Sequence, residues 1–317
     1  MLAAAGILAA VGACVPPLLP DNVGKSPDYA RTWLRAAGGA DFYAEEGLAD
    51  GVWLSVARPG AAEPVSGYLS SQSEDAPALV LLLPGASSFY ELGPVEKARD
   101  YHDHFAAELR SAGFRTWTLV VRECGTPYGG GDLEDTLDAL DWLENGGLAA
   151  LGAERTYLVG YSSGGTIANL VAIQRELPAI VSVSGLSGSE ELERRYRLLR
   201  LVTALYPQTT GICQLGDTLR ASGPPGSPQW STLDVSGRVN ELRSPMLVMH
   251  GERDLVFPAS SSRMLQVAYA DAVAHGAALP PVEFEFVETG RHVNMLELPD
   301  VPARVAAYLQ ERELERR

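Results

Sequence analysis

Cysteine is scarce in this chain: 317 residues contain three, Cys14, Cys124 and Cys213. None forms a C-x-x-C pair or lies at ligand spacing from a histidine, which excludes a zinc module and a disulfide-dense scaffold. Packing must therefore hold the interior. Lysine is scarcer, with Lys25 and Lys97 the two lysines among 25 basic residues. Arginine carries the rest of the positive charge, a usage expected of a GC-rich bacterial genome, and 40 acidic residues leave a net charge of −15. No basic run could track a phosphate backbone, so a nucleic-acid partner is not expected. No internal repeat is visible, and no uninterrupted apolar run reaches the roughly 20 residues of a membrane span.

What is present is a balance of 46% hydrophobic and 21% charged residues. It supports a large packed core and excludes a disordered, collagen-like or coiled-coil chain. The length suits one large α/β domain with appendages better than two equal domains. From Met1 to Pro20 no side chain is charged, and Leu2–Ala13 is apolar over the length of a signal-peptide core, ended by Pro16, Pro17 and Pro20. Val11-Gly12-Ala13-Cys14 resembles the lipobox at which bacterial lipoprotein precursors are cleaved, leaving a diacylated thiol that holds the protein on a membrane. The basic n-region of such signals is missing, so another secretory signal and a structural N-terminal helix stay open beside it. The expected organisation is a signal over residues 1–20, a polar lead-in over 21–50 and a folded domain over 51–317. The expected location is the bacterial cell envelope or the exterior, or the cytoplasm if residues 1–20 are no signal.

Short β-branched or leucine-rich runs alternate with longer segments of helical period, the pattern of a mostly parallel sheet wrapped by helices. The runs predict eight strands: Val52–Val56, Val65–Leu69, Ala78–Leu83, Thr116–Val121, Thr156–Val159, Ile180–Val183, Pro245–Met249 and Val282–Phe286. The central ones are apolar almost throughout, as strands buried on both faces require. Over Asp132–Glu144 a stripe of Leu133, Leu137, Leu140 and Leu143 faces away from Asp135, Asp138, Asp141 and Glu144, which predicts a helix packed on the sheet. A last helix begins after Asp300 as N-cap and buries Val301, Val305, Tyr308 and Leu309. Residues 187–243 exceed any simple crossover and hold the turn-rich run Ser222–Pro228, so they are read as an inserted cap. Within it Tyr196, Tyr206 and Trp230 form either an acyl or aromatic pocket or the cap's own small core.

Gly160-Tyr161-Ser162-Ser163-Gly164 fits G-x-S-x-G, in which a strand turns abruptly into a helix with a strained serine at the bend. Small residues are needed where two backbone segments pass closely. The pentapeptide alone is a weak signal, but the apolar run Tyr157–Val159 before it and the helix-like Gly165–Val171 after it supply the required context. A serine hydroxyl is a poor nucleophile at neutral pH and needs a base, itself oriented by an acid. Asp254, just past the strand ending at Met249, is the expected acid, with Glu252 as the alternative. His292 follows the last strand on a loop and is the expected base. His102, His104, His250 and His275 are read as surface or packing residues. The oxyanion of acyl transfer needs backbone N–H donors, expected from Ser163 and from Ala86 in Leu83-Pro84-Gly85-Ala86. Cys124 and Cys213 both fall near the carboxyl edge of the predicted sheet, where an oxidising compartment would let them bridge. No cofactor or metal is implied.

Taken in chain order, Pro84-Gly85-Ala86, Gly160-Tyr161-Ser162-Ser163-Gly164, His250-Gly251-Glu252-Arg253-Asp254 and Gly290-Arg291-His292 resemble the α/β-hydrolase family. The likeness is to its esterase and serine-peptidase-like members and runs from Val52 to Leu309. Members often carry His-Gly where this chain has Pro84-Gly85, which bears on the shape of the oxyanion loop. The resemblance implies a mostly parallel eight-stranded sheet with helices on both faces and a cap after the sixth strand. It also implies a serine hydrolase that cleaves carboxylic esters through an acyl-enzyme on Ser162, with a small-molecule ester or a peptide as substrate. An aminopeptidase or oligopeptidase would use the same groups, and a catalytically silent scaffold binding a ligand or partner would keep the fold without the chemistry.

Overall fold

Ala78–Leu83 is apolar at every position and every side chain is buried. Such a run suits a strand covered on both faces. Alternation divides it, with Leu79, Leu81 and Leu83 in one core cluster and Ala78, Val80 and Leu82 in the other. The computed structural model describes residues 42–43, 51–57, 64–70, 76–85, 94–120, 130–188, 190, 193 and 223–316. The expected signal segment with Cys14, the Cys124–Cys213 pairing, Ala86, Tyr196 and Tyr206 lie outside the described residues.

The strands are β1 (Phe42–Tyr43), β2 (Gly51–Val56), β3 (Val65–Ser70), β4 (Ala78–Leu83), β5 (Arg115–Leu119), β6 (Arg155–Tyr161), β7 (Ile180–Val183), β8 (Met246–Gly251) and β9 (Val282–Val287). All eight expected strands form. The two-residue β1 adds an edge and makes the sheet nine-stranded, in the order β1-β2-β3-β5-β4-β6-β7-β8-β9. From β5 across to β9 neighbouring strands are parallel, whereas β1, β2 and β3 join antiparallel. The chain leaves β4 for β5 on one side and then enters β6 on the other. The carboxyl ends of β4 and β6 therefore flank a switch point, the place where open α/β sheets bind ligands.

Among the described residues six longer helices cover the sheet: α1 (Pro94–Asp103), α2 (Phe105–Ser111), α3 (Gly130–Trp142), α4 (Ser163–Ala172), α5 (Ser260–Ala274) and α6 (Asp300–Leu314). Tyr101, Phe105, Leu109, Val305 and Tyr308 bring α1, α2 and α6 onto the face carrying Val80 and Leu82. Leu140, Ile167, Leu170 and Leu265 bring α3, α4 and α5 onto the opposite face. Among the described residues no helix is long and apolar enough to cross a membrane.

Two helix expectations are corrected. Asp300 is not an N-cap but the first residue of α6, where its charge complements the helix N-terminus, and Pro299 holds the cap position with no side-chain cap bond. On α3 the buried stripe is Asp135, Thr136, Ala139 and Leu140, with Leu143 just beyond, while Leu133 and Leu137 are only partly buried. Asp135, expected on the polar face, is thus inside. Asp135 and Thr136 line a small cavity together with Leu83, Leu119 and Gly164.

Residues 223–243 return to the body of the protein. Trp230 is 1% exposed, donates its Nε1–H to the Gly223 carbonyl at 3.1 Å and packs with Leu233, Val235, Val239 and Leu242 in the core beside α4. At the other end of the sheet, Glu313 on α6 accepts the Tyr157 hydroxyl at 2.8 Å and an Arg155 N–H at 3.0 Å. Burial and the Glu313 carboxylate raise the Tyr157 hydroxyl well above its usual range, so it remains a donor. The last helix is thereby tied to β6.

Candidate active site

β6 ends at Tyr161 and α4 starts at Ser163, so the chain must reverse its course at Ser162. It does so with φ 57° and ψ −118°, a region that non-glycine residues occupy only when their surroundings impose it. The Ser162 N–H donates to the Val183 carbonyl at 2.9 Å, and its own carbonyl accepts the Thr166 N–H at 3.0 Å. Glycines make the bend feasible. A Cβ on Gly160 would lie 2.0 Å from the Gly164 carbonyl oxygen, and one on Gly164 would lie 2.2 Å from the Leu83 oxygen. A Cβ on Gly85 would lie 2.7 Å from the Ser162 Cβ, so the Pro84-Gly85 loop rides directly over the serine.

Register along the sheet brings the other side chains to the same edge. Leu83 pairs with Gly160, Tyr161 with Val183, and Val183 with Met249, so the loops leaving β4, β6, β7 and β8 emerge together. Asp254 lies in the turn after β8, and His292 opens a short helical turn after β9. Gly251 and Gly290 let these two loops meet, since a Cβ on Gly251 would lie 2.5 Å from the Gly290 oxygen. Of the expected residues, Ser162, His292 and Asp254 come together. Ser162 Oγ is 2.7 Å from His292 Nε2, and His292 Nδ1 is 2.7 Å from Asp254 Oδ2. The alternative acid Glu252 is turned away and pairs with Arg263.

Both carboxylate oxygens of Asp254 are engaged. Asp254 Oδ1 accepts the Val256 N–H at 2.9 Å and the Phe257 N–H at 2.8 Å. Burial pushes its carboxyl up, but contacts from His250 and His292 together outweigh burial and hold it down at about 2. Because this value lies below the unfolded carboxylate's roughly 3.9, the group's contribution to stability is complete above the unfolded value and is lost as pH falls through about 2. Urea unfolding followed against pH should show that loss setting in below about pH 4 and complete below about pH 2. A pH–rate profile should carry no limb from Asp254 above about pH 4.

The imidazole of His292 meets two aromatic rings. Tyr161 stacks on it at 5.6 Å with the planes 30° apart, and Phe257 meets it edge-on at 5.1 Å. The Tyr161 hydroxyl donates to the His292 carbonyl. Of the expected oxyanion donors, Ser163 is the first residue of α4, at the helix end where N–H groups have no intrahelical acceptor. Four further residues of the site were not singled out from the sequence: Tyr161, His250, Phe257 and Ser262. His250 was read with the packing residues, and it is fully buried, but its place four residues before Asp254 on the same strand exit was a usable signal. His102 is buried on α1, whereas His104 and His275 are exposed. Among the described residues no group of three or more His, Cys, Asp or Glu side chains could hold a metal ion.

The sequence matches the model of the alpha/beta hydrolase family over residues 80–308. No curated protein matches it. Among solved structures it is similar to an esterase of Pyrococcus furiosus at 15% identity, covering 94% of this chain and 96% of that one with a TM-score of 0.58. A truncated carbohydrate esterase from gut microbiota shows 14% identity, coverage of 86% and 99%, and a TM-score of 0.60. An acylaminoacyl peptidase of Pyrococcus horikoshii shows 17% identity and a TM-score of 0.57, with 84% of this chain covered. The aligned region spans only 42% of that peptidase. At these identities the structures speak for the fold, and the family match covers well over half of the chain. This chain belongs to the alpha/beta hydrolase family.

Proposed function

We propose that the protein is a serine hydrolase that cleaves carboxylic esters through an acyl-enzyme on Ser162. The observation that carries the reading is the unbroken chain from Ser162 Oγ through His292 to Asp254, with both links at 2.7 Å. In the resting state the serine hydroxyl donates to His292 Nε2, and His292 Nδ1–H donates to the Asp254 carboxylate. As Ser162 Oγ attacks the ester carbonyl, its proton passes to Nε2, and Asp254 stabilises the imidazolium that results. The oxyanion forms against the backbone N–H groups of Ser163 and Ala86. Collapse of the tetrahedral intermediate sends the Nε2 proton to the leaving alkoxide. Water then attacks the acyl-enzyme with His292 as base and releases the acid.

An amide substrate would use the same groups, and the similarity to an acylaminoacyl peptidase gives this second reading its support. Turnover of a short-chain aryl ester compared with aminoacyl amides separates the two, the expected result being faster ester cleavage. Roles of the two acids are separable as well. Asp254→Asn should lower kcat by roughly 10³- to 10⁴-fold, because an amide cannot hold the Nδ1–H tautomer of His292. Glu252→Gln should change kcat by less than about two-fold. The reverse ranking would reassign the acid.

A further inference from the structure

His250 is 0% exposed and both of its ring nitrogens are engaged, although the chemistry proposed above gives it no task. Its Nε2 lies 2.6 Å from the Phe257 carbonyl oxygen and 3.5 Å from Asp254 Oδ2. Both of those atoms only accept, so Nε2 must carry a proton. Its Nδ1 lies 2.7 Å from Ser262 Oγ, in the first turn of α5. A serine hydroxyl can donate to that nitrogen or accept from it, so the ring is held from both sides. Ser262 therefore anchors the ring from the side opposite the acid.

What that proton holds is the frame of the site. Phe257 contributes its N–H to Asp254 Oδ1, its carbonyl to His250 and its ring edge to His292. One residue thus touches the acid, the base and His250. We propose that His250, held in place by Ser262, is a positioning residue that pins the Asp254–Phe257 turn through its Nε2–H and so aims Asp254 Oδ2 at His292. This inference rests on the proposed roles of Ser162, His292 and Asp254, and extends them to two residues that touch neither substrate nor nucleophile. The opposite tautomer would turn a lone pair on Nε2 toward two acceptors, and the turn would have to open to relieve the repulsion.

The test removes the Ser262 anchor while keeping the imidazole. Ser262→Ala should lower kcat roughly ten-fold with KM changed less than about two-fold, because the misplacement affects the reacting groups and not substrate binding. Ser262→Thr, which restores a hydroxyl, should recover most of the loss. The proton NMR resonance of the His292 Nδ1–H, bonded to Asp254, should shift or broaden in Ser262→Ala and return in Ser262→Thr. His250→Gln, whose amide can still donate to the Phe257 carbonyl, should fall between wild type and Ser262→Ala. Wild-type kcat and an unmoved resonance in folded Ser262→Ala would overturn the proposal. The resonance reads the Asp254–His292 contact whether or not the protein turns over esters. Failure of the esterase reading would therefore appear as absent turnover in the wild type, and failure of the positioning role as a resonance indifferent to Ser262.

Discussion

Ser162→Ala should lower ester turnover on the order of 10⁵-fold or more while leaving stability within about 1 kcal/mol of wild type. The two halves of this expectation have different causes. Activity is lost because the only group removed is the hydroxyl that sits 2.7 Å from His292 Nε2. Stability is kept because the bend is held by backbone, through the Ser162 N–H on Val183 and the Ser162 carbonyl under Thr166, and neither bond involves the side chain. The strain of φ 57° is present with either residue. Steady-state rates and a urea titration on the same purified variant check both halves. Retained turnover in a clean preparation would remove Ser162 from the mechanism.

Gly160→Ala should be the most damaging single methyl group near the site. Its Cβ would come within 2.0 Å of the Gly164 oxygen, 2.4 Å of the Gly164 carbonyl carbon and 2.8 Å of the Gly165 nitrogen. All three neighbours are backbone, so no flexible side chain can give way. Either β6 separates from the start of α4 or the bend at Ser162 opens, and both move the serine away from His292. A stability loss of roughly 3 kcal/mol or more is expected, with turnover falling together with the folded fraction and beyond it. Gly113→Ala is the control. It has φ +91° but nothing within 4 Å of the added carbon, so it should cost about 1 kcal/mol through backbone strain alone and leave the activity of the folded protein intact. Thermal melts of the two variants, with activity normalised to the folded fraction, distinguish collision from strain. Equal effects at the two positions would contradict the close approach at the bend.

The central strands were legible because burial on both faces writes itself into sequence as uninterrupted apolar runs, as in Ala78–Leu83. Strand ends were less so. β8 continues through His250 and Gly251 because these pair with Phe286 and Val287 on β9, a partnership no local pattern announces. β1 escaped notice because two residues have no period, and Phe42 and Tyr43 become a strand only by lying against Leu54 and Trp53. Leucine spacing puts Leu133 and Leu137 in the stripe of α3, yet Asp135 is the buried side chain and lines a cavity with Leu83, Leu119 and Gly164, a tertiary placement that no local spacing announces. Ser162, Asp254 and His292 could be singled out because acyl transfer calls for those residue types and the resemblance to the α/β-hydrolase family supplies their order, each just past the end of a strand. The support around them could not. Ser262 and Phe257 carry no chemical signature, and they reach the site through the bond of Ser262 to His250 and the turn that brings Phe257 back onto Asp254.

Fluorophosphonate labelling followed by peptide mapping tests the central claim most directly, because the reagent reports an activated serine and not merely a present one. The account predicts a single stoichiometric adduct on the peptide carrying Ser162, absent in Ser162→Ala and strongly slowed in His292→Ala. No adduct on the folded wild-type protein, or an adduct on another serine that persists in Ser162→Ala, would contradict it.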